Sequence, residues 1–376
     1  MTEVKRVLIV TEAGDARPSG HVRALIYRPL FVQDGIEVDY RTRCIPRVTR
    51  LIEQPGPVAR RVLGWGVGGA LDRLNQRLAR QRERAIVRDA GRGYDVIYLQ
   101  KVASWPFVAA LRQATRARLV YDLNDGVWLP SRAGFAGGRI ADILRTVDAV
   151  TCDNPTGLEF ARRYNASLFL VPDPAQVELF DRHRSEVERA ESPVVLGWIG
   201  SPATLFNLYV IWEPLEALFA RHPGLTLRLL GTGLDHRLLP PFERVRHTCV
   251  SFYSTEDMVR EVLRMHVGLF PLFDVQDSLV RGVLKATIYM SGGACVVASP
   301  VGQVMDLIAD GENGVLASDA AEWLQHLDRA VSDAAWRERL ARAGLQTVRD
   351  RFALHRCYAQ LRGALEARCA EAEGAR

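Results

Sequence analysis

The stretch Val267 to Gly302, VGLFPLFDVQDSLVRGVLKATIYMSGGACVVASPVG, decides the fold. It opens with an apolar run, Val267 to Phe273, of the length of a buried parallel strand, and breaks in the polar loop Asp274 to Ser278. The pattern predicts a helix from about Leu279 to Ser291, stopped by Gly292 and Gly293, and a further strand at Ala294 to Ala298. Strand, loop, helix and strand in this order make a parallel unit. In an open parallel sheet ligands sit at the carboxyl ends of the strands, and the unpaired N–H groups of a helix start suit phosphate. Arg281 falls at the expected helix start and Lys285 one turn further on, an arrangement that suits a diphosphate.

Lys285, Tyr289, Met290, Gly293, Val296, Val297, Ser299, Pro300 and Gly302 match the pattern K-x-x-E-Y-M-x-x-G-x-P-V-V-A-S-P-x-G. In this the stretch resembles the donor-binding half of glycosyltransferase family 4, whose members have the GT-B fold. The resemblance implies an α/β protein of two Rossmann-like, doubly wound parallel-sheet domains facing across a cleft, with a C-terminal helix crossing back to the N-terminal domain. The expected boundaries are an acceptor domain at 1–172, a linker at 173–193, a nucleotide-sugar donor domain at 194–347 and the returning helix at 348–376. Retaining transfer of a sugar from a UDP- or GDP-type donor to a hydroxyl of a glycan, glycolipid or secondary metabolite follows from the same resemblance. This chain departs from the pattern where the family has two Glu eight residues apart: Val280 and Ile288 stand there.

At 376 residues, 48% of them hydrophobic and 25% charged, the chain fits a soluble globular protein of two domains. Cys44, Cys152, Cys249, Cys295, Cys357 and Cys369 form no C-x-x-C pair, which reads as reduced thiols in the cytoplasm. The opening MTEVKRVLIV runs straight into a strand without the apolar length of a signal peptide, and no run of about 18 apolar residues is present. The net charge of +5 is unevenly spread: Arg47 to Arg92 holds eleven arginines against four acids, so this stretch alone carries +7. From Leu71 it reads as a helix with Arg73, Arg77, Arg80, Arg84 and Arg88 spaced by three or four. Either this is a solvated face, or it makes a peripheral contact with an anionic membrane or holds an anionic acceptor. Nucleic acid is not expected, since no recognition motif or aromatic platform accompanies the charge.

Strands are expected at Arg6 to Thr11, Ile36 to Tyr40, Tyr94 to Gln100, Ala117 to Asp122, Ala149 to Cys152 and Leu168 to Val171. The loop after the first, TEAGDARPSG, lacks the G-x-G-x-x-G spacing of a dinucleotide fold. It resembles the family's first loop, which gives Gly20, His21 and Arg23 an acceptor or cleft role; a plain turn and helix start is the alternative. Asp122, Asn124 and Asp125 follow the fourth strand on the ligand side of such a sheet and, with Arg281 and Lys285, make up the expected catalytic set. A D-x-D look invites a metal, but no second acidic cluster accompanies it, and neither metal nor cofactor is expected beyond the nucleotide sugar. In the second half, strands are read at Val194 to Ile199 and Leu225 to Leu230, with a helix from about Leu205 to Ala220. VLGWIGSP resembles a subgroup of family 4, although Ser201 and Pro202, then Phe206 and Asn207, replace the Arg and Lys that grip the diphosphate in more familiar members. The resemblance thus assigns donor contacts to Gly200, Ser201, Pro202, Gly231, Gly233, Gly282, Val283, Ile288 and Tyr289.

No Ser-His-Asp order, HExxH, glycosidase carboxylate pair or Walker loop occurs in a suitable context. Two further readings stay open. One is a sugar-nucleotide-binding subunit with impaired catalysis; the other is a GT-B nucleotide-sugar epimerase. The oligomeric state is not written in the sequence.

Overall fold

The computed structural model describes residues 4–16, 18–53, 68–129, 139–232, 245–250 and 254–367. The chain divides into two compact units, Met1–Asp173 with His355–Arg376, and Pro174–Leu354. In the first, β1 (Arg6–Thr11), β2 (Glu37–Thr42), β3 (Val96–Gln100), β4 (Arg118–Leu123), β5 (Ala149–Cys152) and β6 (Leu168–Leu170) form one sheet, ordered β2-β1-β3-β4-β5-β6. In the second, β7 (Val195–Ile199), β8 (Thr226–Leu230), β9 (His247–Val250), β10 (Val267–Phe270), β11 (Cys295–Ala298) and β12 (Val315–Leu316) are ordered β12-β11-β10-β7-β8-β9. Every pairing is parallel. The chain starts inside each sheet and winds outward to both sides, so both units are Rossmann-like. The order of the strands reverses between β7 and β10, and that is where open α/β sheets bind ligands.

Continuous apolar strands result because helices cover both faces of each sheet. In β11, Cys295 and Val297 join one buried cluster and Val296 and Ala298 the other. The last helix, Leu354–Glu366, packs in the first unit, where Tyr358 meets Phe31 edge-on at 5.1 Å and its hydroxyl donates to Asp34.

Several expected elements fall differently. The helix expected from Leu279 to Ser291 is two pieces, Gln276–Leu279 and Leu284–Ser291. Val280, Gly282 and Val283 interrupt it, two of them β-branched and one glycine, all weak helix formers. The helix expected from Leu205 begins as a 3₁₀ helix, Pro202–Ile211, and turns α-helical only at Trp212–Arg221. Pro214 explains the change: lacking an N–H, it fits the first turn of an α-helix but not its interior. Residues 174–193 belong to the second unit, and the helix Val177–Arg184 among them buries Phe180 in its core. Strand β9 and the helix Thr255–Leu263 went unforeseen, although Ser254 and Asp257 carry that helix's reciprocal cap.

Candidate nucleotide-sugar site

The loops leaving β7 and β10 meet at Lys285. Its helix, Leu284–Ser291, starts after Val283, which gives no side-chain cap and no acid in the first turn. By helix geometry the amides of Leu284, Lys285 and Ala286 therefore lack an intrahelical acceptor. Lys285 Nζ lies 4.5 Å from the centre of the Trp198 ring and 3.5 Å from Thr204 Oγ1. Burial, and then the neighbouring Arg281 charge, push its pKa down to about 7, and no acid among the described residues opposes them. A half-buried cation beside a second cation and an uncapped helix start is arranged to receive an anion.

Gly200 makes room for this. A Cβ there would stand 2.4 Å from the Trp198 ring, 2.7 Å from Lys285 Nζ and 2.8 Å from Thr204 Oγ1. Its amide does not face a ligand, because it donates to the Leu230 carbonyl at 3.0 Å, and the Gly231 amide likewise donates to Val250 at 3.1 Å. Gly231 takes a left-handed φ of 77° that glycine adopts without strain. Ser201 is exposed, and its carbonyl accepts from the Thr204 amide and hydroxyl. Pro202 opens the 3₁₀ helix. Arg281, half-buried, and Gly282 lie in the connection before the Leu284 helix rather than at a helix start. Gly233 lies outside the described residues.

Two of the expected donor contacts have other work. Tyr289 is fully buried; its hydroxyl accepts from the Ile199 amide at 2.7 Å and donates to the Leu269 carbonyl at 3.2 Å. Its ring rests on Gly268, where a Cβ would come within 2.3 Å. Tyr289 is thus a strut that ties the end of β7 to β10, not a ligand contact. Ile288 packs against the core. Ser299 and Gly302 of the same motif are also framework: Ser299 Oγ accepts from the Leu272 amide at 3.0 Å, and Gly302 lies against the backbone of Leu279. At the far end of the Leu284 helix, residues from the stretch expected as a linker cap the free carbonyls. Arg184 donates to Ser291 at 2.8 Å, and Arg189 donates to Gly292, Gly293 and Leu263. Cations at that end complement the helix dipole. No sequence pattern marks them, because the contact is tertiary.

In the first unit two of the expected residues, Arg23 and Asp122, come together, but not as a ligand site. Arg23 is 1% exposed and donates to both oxygens of the fully buried Asp122, to the Val171 carbonyl and to Asp173. Burial lowers its pKa, but Asp122 and Asp173 outweigh that and hold it well above the usual value. Thr151 donates to Asp122 as well. Arg23 and Asp122 are therefore each other's counter-ions in the core. Burial pushes Asp153 and Asp173 upward, each raised further by neighbouring carboxylates and opposed by Arg23. Gly20 sits inside the helix Pro18–Arg23, and a Cβ there would strike the Gly14 carbonyl at 2.1 Å. His21 is half-buried; burial lowers its pKa, with Asp15 opposing.

Asn124 and Asp125 differ from these. Asn124 is 2% exposed and its Oδ1 has no hydrogen-bond partner among the described residues. Asp125 and Lys101 pair as ions at the ends of β4 and β3, with left-handed φ values of 55° and 54°. They are the two non-glycine residues with positive φ among those described, a strain that clusters at functional sites. Lys101 escaped the sequence reading. Among the described residues, no group of three or more His, Cys, Asp or Glu is placed to hold a metal ion, and no helix is long and apolar enough to cross a membrane.

Residues 193–333 match the family model for glycosyl transferases group 1. A D-inositol 3-phosphate glycosyltransferase of Nocardioides sp. (strain ATCC BAA-499 / JS614) is 30% identical over 121 residues, 32% of this chain and 23% of the relative. The match thus spans about a quarter of that relative's length. Among solved structures, the Anabaena protein Alr3699/HepE in complex with UDP and glucose aligns with a TM-score of 0.65 and 16% identity, covering 96% of this chain and 99% of the other. Sucrose-phosphate synthase from Thermosynechococcus elongatus gives 0.63 and 17% over 95% and 97%. An α,α-trehalose-phosphate synthase (UDP-forming) from Burkholderia vietnamiensis gives 0.66 and 11% over 99% of both chains. The fold is that of the GT-B glycosyltransferases, and within it residues 193–333 are similar to the glycosyl transferases of group 1.

Proposed function

We propose that the protein is a retaining glycosyltransferase of the family 4 kind, moving a sugar from a nucleotide diphosphate sugar to a hydroxyl of a glycan, glycolipid or secondary metabolite. The observation that carries this reading is Lys285, a half-buried cation at an uncapped helix start with no opposing acid among the described residues. The diphosphate would lie on the amides of Leu284 to Ala286, on Lys285 and Arg281, with the Ser201 hydroxyl near by. As the bond from the anomeric carbon to the phosphate oxygen breaks, that charge grows, and these groups stabilise it without a metal. The acceptor oxygen bonds to the same face of the sugar while its proton passes to the departing phosphate. Asn124 and Asp125 serve the sugar side. UDP is favoured over GDP because the Anabaena protein is seen with UDP and with UDP-glucose. The same reading places the enzyme in the cytoplasm, in peripheral contact with a membrane through its basic 47–92 stretch.

A thermal-shift screen of nucleoside diphosphates tests it, since a bound ligand raises the melting temperature by mass action. One base should stand out, and the matching sugar nucleotide should be consumed only when an acceptor is supplied, with EDTA present or not. A flat screen would contradict the reading. Val280 is buried and Ile288 packs on the core, so neither family acid has a substitute there; this favours a donor-binding subunit as the second reading. Binding without turnover over a broad acceptor panel would select it, and donor consumption with no acceptor would select an epimerase.

A further inference from the structure

The helix Gly68–Ala90 is 23 residues long, and Arg73, Arg77, Arg80, Arg84 and Arg88 are all exposed on it. At about 100° per residue these five fall within an arc of about 80°, and every position from 73 to 88 inside that arc is arginine. The row is about 22 Å long at about 1.5 Å per residue. None of the five forms an ion pair among the described residues. Three more of the helix's charges are engaged elsewhere: Glu83 pairs with Arg43 at 3.2 Å, Asp89 with Arg92 at 3.1 Å, and Arg82 donates to Thr42. An ordinary solvated face mixes both signs. This one does not.

We propose that this arginine row docks the first unit onto the headgroups of an anionic phospholipid surface. A straight single-sign row matches a plane of phosphates, and Leu74, 49% exposed beside the row, adds an apolar edge for the headgroup region. The helix has no aromatic residue on which a base could stack, which sets a nucleic acid aside. The proposal deepens the peripheral contact named in the functional reading and rests on that reading only for its purpose.

Sedimentation with vesicles decides it. The full chain should bind phosphatidylcholine vesicles containing about 30% phosphatidylserine but not pure phosphatidylcholine, and should release at about 1 M salt, where the screening length falls to about 3 Å. Each arginine near such a surface is worth about fivefold, so Arg77→Gln with Arg84→Gln should weaken binding roughly 25-fold, and the same pair changed to Lys should keep it. Equal binding to neutral vesicles, unchanged binding of the Gln pair, or capture by heparin or DNA with none by vesicles would each overturn the proposal. Nucleoside diphosphate binding on the same samples separates the two claims, since it reads the second unit alone.

Discussion

Arg23 in the first unit and Lys285 in the second are both cations withdrawn from water, and the sequence offered both as site residues. Around Arg23 stand Asp122 and Asp173, and each of its three nitrogens donates to an oxygen. Around Lys285 stand an aromatic face, a hydroxyl and another cation. The first has its counter-charge built in and is part of the frame. The second lacks one among the described residues, and a diphosphate would supply it. Burial alone does not separate function from framework; the sign and number of the neighbours do.

The largest expected effect tests the frame. Arg23→Ala leaves Asp122 buried without its cation, which should cost about 3–5 kcal/mol and depress the melting temperature sharply. A variant as stable as the wild type would mean Arg23 is not the core ion pair described. Lys285→Ala should instead leave the melting temperature unharmed while cutting turnover about a hundredfold, or about 2.7 kcal/mol of transition-state stabilisation. Near-normal turnover would remove Lys285 from the mechanism. Tyr289→Phe belongs with Arg23: losing the hydroxyl strands the buried Ile199 amide, at about 1–3 kcal/mol of stability, with little change in nucleotide affinity. If affinity falls and stability does not, Tyr289 is a contact after all.

The smallest effect is the pH dependence. In the free protein Lys285 titrates near 7, held down by burial and Arg281. A bound diphosphate reverses that pressure and raises it. Diphosphate affinity should then be full below pH 7 and fall above it, by at most about tenfold per unit. The unfolded lysine, with a pKa of about 10.4, binds more protons than the folded one between that value and about 7. The Lys285 contribution to the stability of the free protein therefore rises with pH across this window. Both trends should vanish in Lys285→Met, as melting curves and titrations at pH 7 and 9 would record.

Much of the fold was legible because parallel strands covered on both faces are short apolar runs, and RVLIVT, VLGWI and CVVA announce themselves. The break at Val280 to Val283 was less so, since a helical stretch continues on either side of it. Strand β9, HTCV, carries a His and a Thr and lacks the apolar run that betrays the others. The candidate site was legible in part. Lys285 stood out as a motif position, but so did Tyr289, Ser299 and Gly302, which the structure uses as framework. A motif records what one fold needs, and that includes the struts. Lys101, Arg184 and Arg189 were beyond reach, because what they touch is set by tertiary packing.

The most direct test of the central claim is calorimetric titration of wild type and Lys285→Met with inorganic pyrophosphate near pH 7, in two buffers of different ionisation heat. The account predicts that pyrophosphate binds the wild type with uptake of a fraction of a proton, and binds the variant far more weakly with none. Equal affinity for the two proteins, or binding to the wild type without proton uptake, would contradict it.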